Sequence, residues 1–115
     1  MIDHISREVT DLERSARFYD AVFYALGARR IRADPGEVAW GQDGPIFRIA
    51  RGQARPGHVA LRAAGKAAVE AAWEAGCGAG GIVDEAPTAL VEEGIRCYRA
   101  TLRDPDGARV ELLSR

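Results

Sequence analysis

The sequence predicts an α+β fold built from two copies of one strand–helix–strand–strand–strand unit. Three observations carry this. "HISREV", beginning at His4, aligns with "HVALRA", beginning at His58, close to half of the 115-residue chain later. Each segment leads into a helical stretch that stops at a glycine, Gly27 in the first half and Gly76 in the second. After each helix the pattern changes to short alternating runs divided by turn signals.

The elements follow in order. In "IDHISREV" successive side chains alternate between two faces. His4, Ser6 and Glu8 share one face, and Asp3, Ile5, Arg7 and Val9 the other. "TDLE" reads as a capping box, with Thr10 at the N-cap and Glu13 three residues on. Leu12, Phe18 or Tyr19, Val22 and Leu26 keep helical spacing, and Gly27 is suited to end the helix. Three strands are expected next, "ARRIRA", "EVAWGQ" and "PIFRIA", separated by "DPG" and "DGP". In the second half His58, Ala60 and Arg62 share a face. A helix is expected from Lys66 to Ala75, with Val69, Ala72 and Trp73 as its apolar stripe. A loop rich in Gly, Ala and acidic residues follows, in which "GGIVDE" can supply a short strand. "IRCYRATL" and "ARVELLS", joined by "RDPDG", close the chain.

Composition sets bounds. The length suits a single domain, residues 1–115, with module one at about 1–52 and module two at about 56–115. A formal net charge of −1 offers no basic surplus for nucleic acid or a membrane surface. No apolar run approaches the roughly 20 residues of a membrane span. Asp3 and Glu8 stand where a signal peptide has a basic start and an apolar run. The chain therefore reads as cytoplasmic. Cys77 and Cys97 lack metal-type spacing and read as ordinary thiols of a reducing compartment.

With "IDHISREVTDLERSARFYDAV", "GHVAL" and "RDPDGARVEL" in place, the sequence resembles the vicinal oxygen chelate superfamily: the glyoxalase, bleomycin-resistance and extradiol dioxygenase group. The resemblance covers nearly the whole chain. It implies two βαβββ modules whose mixed sheets curl into an open cup. It also implies a divalent metal (Zn, Mn, Fe, Ni or Co) held in that cup by His4, His58 and Glu111. Two imidazoles and a carboxylate form a facial ligand set that leaves positions open for water or substrate. Short strands would leave edges and an open cup, which pairing of chains would cover, so a homodimer is expected.

The chain departs from the family pattern at one informative point. Four-ligand glyoxalases place a carboxylate in the last strand of the first module, where this chain has Arg48 or, at nearest, Phe47. Arginine cannot ligate a metal. Arg48 is instead a candidate clamp for a carboxylate, phosphonate or enolate on the substrate, or a surface strand residue, depending on strand register. Lactoylglutathione lyase activity is thereby disfavoured. Extradiol cleavage is disfavoured too, since both histidines are committed. Tyr98, on a strand expected to line the cup, could orient or protonate substrate, or simply form part of the wall. Glu8 could act as a base, or pair with an arginine such as Arg62. The leading expectation is a metal-dependent enzyme acting on a small oxygen-bearing substrate, by isomerase, lyase or thiol-transferase chemistry. The alternative is a small-molecule binding protein of the bleomycin-resistance type, without catalysis.

Overall fold

The structure is a computed structural model, and it describes residues 4–115. Ile2 and Asp3, the opening residues of the first expected strand, lie outside the described part. β1 (Ile5–Val9) is followed by α1 (Leu12–Ala25), β2 (Arg29–Asp34), β3 (Glu37–Gly41) and β4 (Pro45–Arg51). The second half repeats the theme with β5 (His58–Arg62), α2 (Lys66–Gly78), β6 (Ile82–Val83), β7 (Thr88–Glu92), β8 (Ile95–Arg103) and β9 (Arg109–Ser114).

The strands form two mixed sheets. The first runs β1-β4-β3-β2, and the second runs β5-β9-β8, with β6 and β7 both pairing β8. In each half the first and last strands pair in parallel, β1 with β4 and β5 with β9. All other pairs are antiparallel. The common topology of the two halves is what the repeated histidine segment predicts.

One face of each sheet is covered by its helix. Val38, Trp40, Phe47 and Ile49 of the first sheet are buried, as are Val59, Leu61, Leu102, Val110 and Leu112 of the second. They join Phe18, Tyr19 and Val22 of α1 and Val69 and Ala72 of α2 in one hydrophobic cluster. Aromatic rings dominate the first half of it. The Tyr19 and Phe47 centroids are 4.8 Å apart, and Phe23 stacks on Trp40 at 5.6 Å. Offset and tilted pairs of this kind add to plain burial.

Three local expectations are corrected. Asp11, not Thr10, caps α1: its side chain accepts the Arg14 N–H at 3.0 Å. Thr10 is drawn away because its backbone N–H and hydroxyl both donate to Asp106 in the β8–β9 turn. Next, Gly76 does not end α2, which runs on to Gly78. Gly76 is buried where the helices cross, and a Cβ there would lie 2.7 Å from Leu102 Cδ1 and 2.8 Å from Val22 Cγ2. The glycine is there for close approach and is not a stop. Finally, the segment expected to be loop contains β7, paired along the whole of its length to β8. "TALVE" alternates only weakly and its residues are mostly exposed, which is why its pattern is easily missed.

A buried polar contact ties the halves together. The Tyr19 hydroxyl donates to Asp104 Oδ2 at 2.7 Å. Burial, then the charge and hydrogen bond of Asp104, push the Tyr19 pKa well above its ordinary value of 10.0. A folded-state pKa above the unfolded one gives stability that is complete below about pH 10 and is lost as pH rises further. Wild-type protein is therefore expected to lose stability more steeply above pH 10 than Tyr19→Phe. Urea titrations at stepped pH measure this, and parallel slopes would refute it.

Candidate active site

Strand register settles which side chains share a face. On the second sheet Ala60 stands opposite Glu111, and Glu111 opposite Thr101. His58, Arg62, Arg109, Leu113, Arg99 and Arg103 belong to the same face by the period of two. It is the face turned away from the buried residues Val59, Leu61, Val110 and Leu112. Here His58 Nε2 and Glu111 Oε2 lie 3.9 Å apart. His58 is half exposed, while the Glu111 side chain keeps only 15% of its accessible surface. Arg99 Nη1 approaches the other carboxylate oxygen, Glu111 Oε1, at 3.7 Å. The carboxylate thus lies between an imidazole and a guanidinium, with one oxygen toward each. Arg99 was not singled out from the sequence. The signal was present, since Arg99 and Glu111 fall on neighbouring strands with matching parity, but only the β8–β9 register reveals it.

Arg48 stands opposite Ser6 and Ala39 on the face of the first sheet that its helix leaves open. Its Nε donates to Ser6 Oγ at 3.2 Å, and its Nη1 pairs with Glu37 Oε2 at 3.2 Å. Register thus puts Arg48 on that face and Phe47 in the core. Glu8 is exposed on the same face, against Gly52, where an added Cβ would lie 2.6 Å from Glu8 Oε1. No ion pair joins Glu8 to Arg62 among the described residues.

His4 immediately precedes β1 and is exposed. Among the described residues no group of three or more His, Cys, Asp and Glu side chains is arranged to hold a metal ion. Among the described residues, then, His58 and Glu111 are brought together, and His4 is not grouped with them. The reason is topological: β1 and β5 lie at edges of two different sheets.

Tyr98 is a correction. It stands opposite Ser114, with Ala100 and Leu102 next on its face, so it points toward α2 and away from Glu111. Its hydroxyl donates to Glu70 Oε2 at 2.8 Å, and that hydrogen bond raises its pKa. Adjacent strand positions face opposite ways, so on β8 it is Arg99 and Thr101, not Tyr98, that share the face of Glu111.

Cys77 and Cys97 are both free thiols, and burial raises the Cys77 pKa. Among the described residues no helix is long and apolar enough to cross a membrane.

Comparison with known proteins agrees with the architecture. A glyoxalase/bleomycin resistance protein from Albidiferax ferrireducens superposes with a TM-score of 0.90 at 29% identity, covering 100% of this chain and 99% of that one. A glyoxalase-related enzyme from Fulvimarina pelagi gives 0.77 at 22% identity, covering 100% and 88%. The fosfomycin resistance protein FosX from Mesorhizobium loti gives 0.70 at 22% identity, covering 100% and 92%. No curated protein matches the chain. The family model of the Glyoxalase/Bleomycin resistance protein/Dioxygenase superfamily matches residues 1–112. The match spans both βαβββ halves and includes His58, Arg99 and Glu111, so this chain belongs to that superfamily.

Proposed function

We propose that the protein is a metal-dependent enzyme of the vicinal oxygen chelate type, acting on a small oxygen-bearing substrate by isomerase, lyase or thiol-transferase chemistry. The observation that carries this reading is the approach of His58 Nε2 to Glu111 Oε2 at 3.9 Å. Two donors each about 2.0–2.2 Å from one ion stand roughly 3 Å apart at a right angle and about 3.5 Å apart at a tetrahedral one, so the pair would close by roughly 0.5–1 Å to share an ion. The donor types fit as well, because an imidazole and a carboxylate suit Zn²⁺, Mn²⁺, Fe²⁺, Ni²⁺ or Co²⁺. Such an ion, when bound, would polarise substrate oxygens and stabilise negative charge.

His4 is the third ligand in this reading, and a second copy of the chain supplies it. Support comes from the edge positions of β1 and β5, whose outer sides are open to a second copy. The protein is then a homodimer, and its free thiols suit the cytoplasm. Arg99 holds Glu111 Oε1 and so orients the carboxylate. Arg48 binds an anionic group of the substrate by exchanging Glu37 for it, and Glu8 is the candidate base. Tyr98 has no role in this site.

Mixing two variants tests the arrangement. His4→Ala and His58→Ala should each fail to bind metal. Mixed and allowed to exchange subunits, they should regain about a quarter of the wild-type sites, because half the dimers then hold one intact set. A mixture that binds no metal, beside a wild type that does, would sink the two-copy site. A wild type that binds no metal when purified untagged would hand the function to the second reading, small-molecule binding without catalysis.

A further inference from the structure

The helix-covered side of the second sheet holds a cleft of about 640 Å³ beside the start of α2. It lies across the sheet from His58 and Glu111. Tyr98 and Ser114 stand opposite each other in register and, with Ala89, form its floor. Val91 lines its wall and is 66% exposed, an apolar surface left open to water. The opposite wall is Gly65 and Lys66, where α2 begins.

The charged side chains that line it, Lys66, Arg96 and Arg115, are all cationic. Lys66 lies over the Tyr98 ring, 5.5 Å from its centroid. Arg96 stands opposite Val91 and lines the same hollow. Neither is paired with a carboxylate among the described residues. The nearby carboxylate on α2, Glu70, is engaged by the Tyr98 hydroxyl. Two unpaired cations and an aromatic and aliphatic wall therefore share one concavity. Gly65 provides no side-chain cap and the first turn of α2 holds no acid, so free backbone N–H groups add to the positive field.

We propose that this cleft is a second ligand site, separate from the His58–Glu111 face, for a small amphipathic anion: a carboxylate or phosphate monoester on an apolar body. Lys66 and Arg96 hold the anionic head, and Tyr98 and Val91 cover the apolar part. The site stands independently of the proposed catalytic function.

Phenyl phosphate is the test probe, titrated into ¹⁵N-labelled protein, with inorganic phosphate and phenol as half-probes. Phenyl phosphate should bind at least about tenfold tighter than either half, since a charge-assisted contact and ring burial each contribute on that scale. Shifts should centre on residues 64–66, 89–91 and 96–98. Lys66→Ala and Arg96→Ala, both exposed positions, should each weaken binding about tenfold, and Glu111→Gln should leave it unchanged. Phosphate binding as tightly as phenyl phosphate would overturn the proposal, as would shifts centred on His58, or affinity indifferent to Arg96→Ala.

Discussion

Glu111→Gln is expected to weaken divalent-metal binding by more than about 100-fold, beyond the roughly 10–100-fold loss typical when only a supporting residue is changed. The amide keeps the shape of the carboxylate but lacks its charge, and a divalent cation binds the charged oxygen far better than the neutral one. The fold should survive, because Glu111 points away from the core residues Val110 and Leu112 on either side of it. Arg99→Ala gives the contrast. Its guanidinium touches the oxygen that does not face His58, so its loss should cost affinity about tenfold and leave binding detectable. Calorimetric titration with Zn²⁺ and Mn²⁺, beside circular dichroism for the fold, measures both. A Glu111→Gln protein that holds metal as wild type does would remove the carboxylate from the site and with it the proposed chemistry.

The largest stability effect is expected at Asp104, whose side chain is fully buried. One carboxylate oxygen accepts the backbone N–H groups of Asp106 and Ala108, at 3.0 and 2.9 Å, and the other accepts the Tyr19 hydroxyl at 2.7 Å. Asp104→Ala strands three donors at once. Each unsatisfied buried group costs about 1–3 kcal/mol, and the turn can expose part of its backbone to water, so a total near 3 kcal/mol is expected. For a domain of this size that lowers Tm by roughly 10–20 °C. Asp104→Asn, which keeps acceptor capacity, should cost less. Urea unfolding followed by Trp40 and Trp73 fluorescence reads the difference, and a loss below about 1 kcal/mol for the alanine variant would show that the turn holds without its carboxylate.

Much of this was legible in the residues. The duplication could be read because a strand's period of two and a helix's spacing survive in "HISREV", "HVALRA" and the stretches after them. Glu111 could be placed on a face for the same reason. What the sequence hid depended on distance along the chain. Thr10 looks like a cap until Asp106, 96 residues later, binds it. Arg99 looks like any strand arginine until β8 is set beside β9. Tyr98 was misplaced because nothing local states which face of β8 its helix covers. His4 marks the sharpest limit. Its repeat partner was correctly matched, but equivalence by repeat does not place two residues in one cavity.

Gly76 carries a consequence far from its own helix. The helices meet over it with no room for a methyl group, and α1 and α2 belong to different halves of the chain. Its missing side chain therefore works as a spacer of zero thickness. A series of growing side chains there would act as wedges of graded width, prising the halves apart from behind. The angle between the two sheets would then change with no ligand or arginine altered.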